Sequence, residues 1–144
     1  MQDIIPDKDD FFKWFITKNM YEHCHLNPNA YEVIEKLNKK YQLCIGTSYT
    51  FPEIPRESGI VLLHKYDYLL DNLPFLTPKN FVFLVDKSFI NCDIIVDDKL
   101  ENLEGAKRKI LYTAYHNKDI TDDEIKEKNI ERANGWLDIE KLLL

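Results

Sequence analysis

Three short apolar runs each end in polar residues that carry chemistry. Tyr41-Gln42-Leu43-Cys44-Ile45-Gly46 runs into Thr47 and Ser48, Phe81-Val82-Phe83-Leu84-Val85 into Asp86 and Lys87, and Ile94-Ile95-Val96 into Asp97 and Asp98. Such runs, bounded by turn residues, predict strands over 42–47, 81–85 and 93–96, the last buried on both faces. Between them the apolar period changes to that of a helix. Ala30, Val33, Ile34 and Leu37 predict a helix over 29–40, opened by Pro28 and closed by Lys36, Lys39 and Lys40. Residues 60–70 read as a second helix, and 9–18, with Phe11, Phe12, Trp14, Phe15 and Ile16 under a capping Asp, as a short amphipathic one. Two prolines make 51–58 a loop, and Thr77-Pro78-Lys79-Asn80 is a turn. A short helix at 100–105, a strand at 109–113 and a closing helix at 137–143 complete the pattern. Thr121 and Glu124 have capping-box spacing and predict a helix over 121–132. Strands alternating with helices define an α/β chain with a mainly parallel sheet.

Open parallel sheets bind ligands beyond the C-terminal ends of their strands, which is where these polar residues stand. Asp97 and Asp98 repel one another, so the pair suggests a bound cation. The plainer reading is a turn in which Asp98 caps the helix starting at Leu100, and both roles can coexist. Thr47-Ser48 alone would be a turn, and Lys87 alone a solvated lysine. Together, hydroxyl, lysine and paired acids make a site for a phosphate and a divalent metal. Asp93 points to the same side as Asp97 but two pleats lower, which suits a structural role. His116-Asn117 reads as a structured loop rather than a catalytic pair. His23, Cys24 and His25 diverge as neighbours and make a poor metal triplet. Trp14, Trp136 and the Phe11/Phe12 pair read as core or cap surface.

Composition narrows the partners. A chain of 144 residues is one ordinary domain with enough length for a core. Its net charge of −6 argues against nucleic-acid polymers, whose affinity comes from Lys and Arg on phosphates. A small phosphorylated metabolite held through a metal remains compatible. Cys24, Cys44 and Cys92 lack metal-ligand spacing, and Cys44 and Cys92 are expected to be reduced core thiols. No run reaches transmembrane length, and the acidic N-terminus is unlike a leader, so a cytoplasmic protein without a membrane partner is expected.

The order of the polar residues narrows the class. Receiver domains of response regulators place their acids first and their lysine last. Here the order is hydroxyl, lysine, acids, which resembles the haloacid-dehalogenase-type (HAD-type) phosphatases, and among them the 5'(3')-deoxyribonucleotidases. The resemblance runs from about Tyr21 to the C-terminus. It rests on Leu26-Asn27-Pro28-Asn29-Ala30, Ile45-Gly46-Thr47-Ser48, Leu63-His64-Lys65-Tyr66-Asp67-Tyr68-Leu69, Leu73-Pro74-Phe75-Leu76, Asp86-Lys87-Ser88, Cys92 through Asp98, His116-Asn117 and Asn134-Gly135-Trp136. It implies a Rossmann-like, HAD-type α/β core over 26–144, preceded at 1–25 by a remnant of a helical cap.

What the resemblance implies for chemistry is Mg²⁺-dependent hydrolysis of (deoxy)nucleoside monophosphates through an aspartyl-phosphate. Thr47, Ser48 and Lys87 would hold the phosphate, with Lys87 also stabilising charge, and Asp97 and Asp98 would hold Mg²⁺. The nucleophile is not found. The family's Asp-x-Asp-Gly loop after an apolar strand is absent from the sequence; Asp7-Lys8-Asp9 has the spacing but no glycine. The sequence therefore reads as a truncated phosphatase, lacking the central N-terminal strand and most of the cap, and inactive alone. The alternatives are a non-catalytic phosphate- and Mg²⁺-binding remnant, a partner-binding module, or an enzyme using Asp7 or Asp9. A missing central strand would leave edges for a homo-oligomer or a complementing N-terminal chain to cover.

Overall fold

A computed structural model describes residues 8–144. Asp7, considered above as a nucleophile, lies outside the described residues. The chain divides into two compact units, Met1–Leu26 with Tyr41–Val85, and Asn27–Lys40 with Asp86–Leu144.

In the first unit, α1 (Lys8–Ile16) buries Phe12. The Phe12 ring lies 5.0 Å from that of Phe51, which anchors the helix to the 51–58 loop. That loop closes around Ser58, which is fully buried yet satisfied: its Oγ donates to the Ile54 carbonyl at 2.8 Å and accepts the Phe51 N–H at 2.9 Å. Helix α3 (Gly59–Asn72) follows and buries Val61 and Leu69. Strands β1 (Ile45–Thr47) and β2 (Phe81–Phe83) pair in parallel, with Ile45 opposite Phe81. Strand β1 is shorter than the apolar pattern predicts. The Leu43 carbonyl is taken by the Asn80 side chain at 2.9 Å instead of by a ladder bond. Cys44 and Cys92 are exposed thiols outside any disulfide, not core residues as expected: Cys44 lies just before β1 and Cys92 opens β3.

The second unit is built on a parallel sheet ordered β3-β4-β5: β3 (Cys92–Asp97), β4 (Ala106–Tyr112) and β5 (Ile130–Ala133). Leu111 and Ile130 pack on one face with Leu103 and with Ile125 of α4 (Asp122–Glu127). The adjacent Ile110 is fully buried on the opposite side, as strand alternation requires. Helices α2 (Ala30–Lys40) and α5 (Trp136–Leu143) pack together; α2 buries Ala30, Val33, Ile34 and Leu37, and α5 buries Ile139 and Leu143. A Lys36–Glu140 ion pair joins their surfaces.

Strand β5 corrects the helix expected over 121–132. The capping box forms, with the Thr121 N–H donating to Glu124 Oε2 at 2.7 Å. The helix then stops because Asn129 adopts a left-handed φ of 55°. Beyond it the chain is extended and pairs with β4, Lys109 opposite Ile130 and Tyr112 opposite Ala133. Both sheets are parallel and flanked by helices, the α/β class expected. Among the described residues, β1 pairs only with β2, and β3 only with β4. The Ile94-Ile95-Val96 run is accordingly half-buried rather than buried on both faces.

Gly105 sets up β4. A Cβ there would lie 1.8 Å from the Ile90 carbonyl oxygen, a backbone atom that cannot swing away. The Gly105 carbonyl also accepts the Cys92 N–H at 3.1 Å, at the start of the β3-β4 pairing. Gly105→Ala is therefore expected to destabilise the chain by about 1–3 kcal/mol, as overpacking does. Urea denaturation followed by circular dichroism measures this, and an unchanged midpoint would contradict the close approach.

Candidate active site

The site begins where β3 runs out. Its last residue, Asp97, has a side chain only 8% exposed, so the carboxylate needs partners. It has three. Lys87 Nζ donates to Oδ2 at 2.6 Å, while the Lys99 N–H and Asn102 Nδ2 donate to Oδ1 at 2.9 and 2.8 Å. Lys87 comes from a single 3-10 turn, Lys87–Phe89, and Asn102 from another, Leu100–Leu103. Burial pushes the Asp97 carboxyl up, but the hydrogen bonds from Lys87, Asn102 and the Lys99 N–H, with the lysine charge, outweigh it and hold its pKa below the ordinary value.

Asp98 follows in a different setting. Its side chain is about half exposed, 3.6 Å from His116 Nε2. Its backbone is held tightly: its carbonyl oxygen accepts Asn117 Nδ2 at 2.7 Å and meets His116 Nε2 at 3.0 Å. A carbonyl only accepts, so Nε2 carries the proton in this contact. Asn117 is buried, and also donates to the Tyr112 carbonyl at 2.8 Å and accepts the Ala114 N–H at 2.9 Å. The end of β3 is thus fastened to the end of β4. The helix-cap alternative for Asp98 is not what forms, since Lys99 occupies the cap position of the 100–103 turn without a side-chain bond. Asp93 is exposed and pairs with Lys107 at 2.7 Å, a surface contact.

Thr47 and Ser48 belong to the first unit, at the end of β1. Thr47 Oγ1 is 3.5 Å from the Ser48 carbonyl. Lys65, from α3, donates its Nζ to that same carbonyl and lies 5.8 Å from the centre of the Tyr21 ring. In the second unit Lys87 meets Asp97, while Asp98 follows Asp97 in the chain with His116 and Asn117 as its neighbours. Asp9 stands exposed in the first turn of α1.

Hard carboxylate oxygens suit Mg²⁺, which takes one or two carboxylates and keeps several waters. Asp97 and Asp98 fit that pattern. Among the described residues no group of three or more His, Cys, Asp or Glu side chains converges, so two carboxylates are the limit of this donor set. Sequence reasoning missed Asn102, His116, Asn117 and Lys65 as supports. An amide near an acid pair carries no local signal until the fold brings it into reach.

An α/β chain with acids, lysine and hydroxyls just past its strands has the makings of a phosphate-handling protein. The family model described as "5' nucleotidase, deoxy (Pyrimidine), cytosolic type C protein" matches residues 2–144, and the chain belongs to this family of HAD-like 5'-nucleotidases. A Staphylococcus aureus (strain Mu50) protein, provisionally named a 5'(3')-deoxyribonucleotidase, is 32% identical over 146 residues, spanning 100% of this chain and 74% of its own. The 5'(3')-deoxyribonucleotidase of Bacillus subtilis (strain 168) is 31% identical over 151 residues, spanning 94% of this chain and 80% of its own. A Bacillus phage SPbeta protein of the same name matches equally. No helix among the described residues is long and apolar enough to cross a membrane.

The Lys87–Asp97 pair has a calculable pH signature. The Asp97 pKa is lower in the folded state than its unfolded value near 3.9, so its stabilisation is present above that value and lost as pH falls through the folded pKa. Lys87→Met leaves the carboxylate without its cation and is expected to cost about 1–3 kcal/mol at pH 7. The gap between variant and wild type should shrink below about pH 4, as Asp97 takes a proton. Denaturation midpoints across pH check both; a gap independent of pH would place the stabilisation elsewhere.

Proposed function

We propose that this chain carries the phosphate- and cation-holding residues of a nucleotidase acting on (deoxy)nucleoside monophosphates in the cytoplasm, and that the 144-residue polypeptide alone has little or no activity. The observation that supports this best is Asp97, buried beside Asp98 at the end of a parallel strand and answered by Lys87. Asp97 and Asp98 would hold Mg²⁺, which supplies positive charge to a phosphoryl group. Lys87 would add positive charge beside Asp97. Residues 1–25 would be the cap portion and 26–144 the core.

The low activity follows from a missing part. Without Asp-x-Asp-Gly, no carboxylate in the sequence matches the family's nucleophile. Loss of an activated nucleophile costs several orders of magnitude in rate. Purified chain with Mg²⁺ and deoxynucleoside 5'- or 3'-monophosphates should release no phosphate above background. Turnover abolished by Asp97→Asn would instead make this polypeptide a working phosphatase, and turnover abolished by Asp9→Asn would point to a different nucleophile. The second reading, a non-catalytic module that binds phosphate and Mg²⁺ weakly, is favoured by the absence of that motif and by the limit of two carboxylates in the donor set.

The strand edges bear on partners. Among the described residues β1 and β3 each lack a pairing strand on one side, and each unpaired backbone group that becomes buried costs about 1–3 kcal/mol. A second copy or a complementing chain could cover them. The isolated chain should therefore self-associate or unfold at low denaturant. Sedimentation and urea titration test this; a stable, strictly monomeric chain would argue that the edges need no cover.

A further inference from the structure

We infer that His116 and Asn117 form a clamp that positions Asp98 for cation binding. The inference rests on the reading of Asp97 and Asp98 as the cation site. Two side chains from one loop converge on a single backbone oxygen, the Asp98 carbonyl, at 3.0 and 2.7 Å. Strand pairing in register reaches Asp97 opposite Leu111 and stops. Asp98 is the first residue beyond the ladder, so the sheet no longer fixes its direction. The clamp takes over there. Asn117 reaches the Asp98 and Tyr112 carbonyls with one amide, and its own oxygen is pinned by the Ala114 N–H at 2.9 Å. Both amide N–H groups and one oxygen lone pair of this buried side chain are engaged, which resists its turning and holds the Asp98 carbonyl. His116 lies over the same carbonyl from the solvent side, with its Nε2 3.6 Å from the Asp98 carboxylate.

The consequence falls on geometry. Mg²⁺ demands near-ideal octahedral ligation, so a carboxylate free to swing loses affinity even when its charge is intact. Groups that orient metal ligands are worth about 10–100-fold in affinity. Asn117→Asp keeps the shape but removes both donated bonds and sets an oxygen against two carbonyls. His116→Phe removes the second bond at an exposed position, where the fold tolerates it.

Mg²⁺ binding to the full chain, measured by calorimetry, tests the clamp. Asp98→Asn establishes the site, and Ile139→Val, in the core of α5, supplies a variant whose stability falls for unrelated reasons. The expected results are at least tenfold weaker binding in Asn117→Asp, several-fold weaker binding in His116→Phe, and unchanged affinity in Ile139→Val. Full affinity in His116→Phe and in a folded Asn117→Asp would overturn the inference; if Asn117→Asp does not fold, His116→Phe decides alone. Loss of affinity in Ile139→Val equal to that in the loop variants would also overturn it, because the effect would then be general destabilisation. Wild-type chain that binds no Mg²⁺, or binding indifferent to Asp98→Asn, would overturn the site reading itself, a result distinct from failure of the clamp.

Discussion

A carboxylate taken out of water must be answered, and much of the second unit's architecture follows from how Asp97 is answered. Its burial would favour the neutral acid. Three donors reverse that preference, and each comes from a different piece of backbone: the turn at 87, the N–H at 99 and the side chain at 102. None of the three is supplied by the sheet. The two 3-10 turns on either side of β3 are therefore more than connections, because they place Lys87 and Asn102 against the strand's last residue. Gly105 contributes upstream of this arrangement by letting the start of β4 approach Ile90 closely. If the turns moved apart, the charge would lose its partners before the apolar core lost its packing.

The two acids solve different problems despite being adjacent and identical. Asp97 is nearly buried and its oxygens are engaged, while the Asp98 carboxylate is half exposed and its backbone is the part that is held. A strand that ends between them explains the difference. The ladder that fixes Asp97 does not extend to Asp98. One acid is tuned through its carboxylate and the other through its main chain.

Much of this was readable from residue order. Helix α2 announced itself through Ala30, Val33, Ile34 and Leu37, all of which are buried. The apolar runs pointed to the strands, and the polar residues after them included the Lys87 and Asp97 that pair. Strand β5 was hidden because Ile130-Glu131-Arg132-Ala133 is short and follows a well-capped helical start. What separates the two is the backbone of Asn129, and its positive φ is settled by context. The supports of the acid pair were hidden for another reason. Asn102 is five positions from Asp97, and Asn117 nineteen from Asp98. Their meaning depends on contacts across turns and strands, which period and spacing do not encode. Cys44 and Cys92 failed in the opposite direction: apolar neighbours suggested burial, but Cys44 lies before its strand and Cys92 is the first residue of its own.

The Lys87–Asp97 pair also constrains how the site can handle charge. A cation approaching these acids meets one carboxylate whose oxygens already accept three hydrogen bonds, one of them from a lysine. Three of the roughly four acceptor directions of that carboxylate are taken, so a cation would compete with bound donors more at Asp97 than at Asp98. If a phosphate bound beside Asp97, Lys87 would have a second acceptor to turn toward, and any coupling between cation and phosphate would pass through the lysine that helps keep the buried acid ionised.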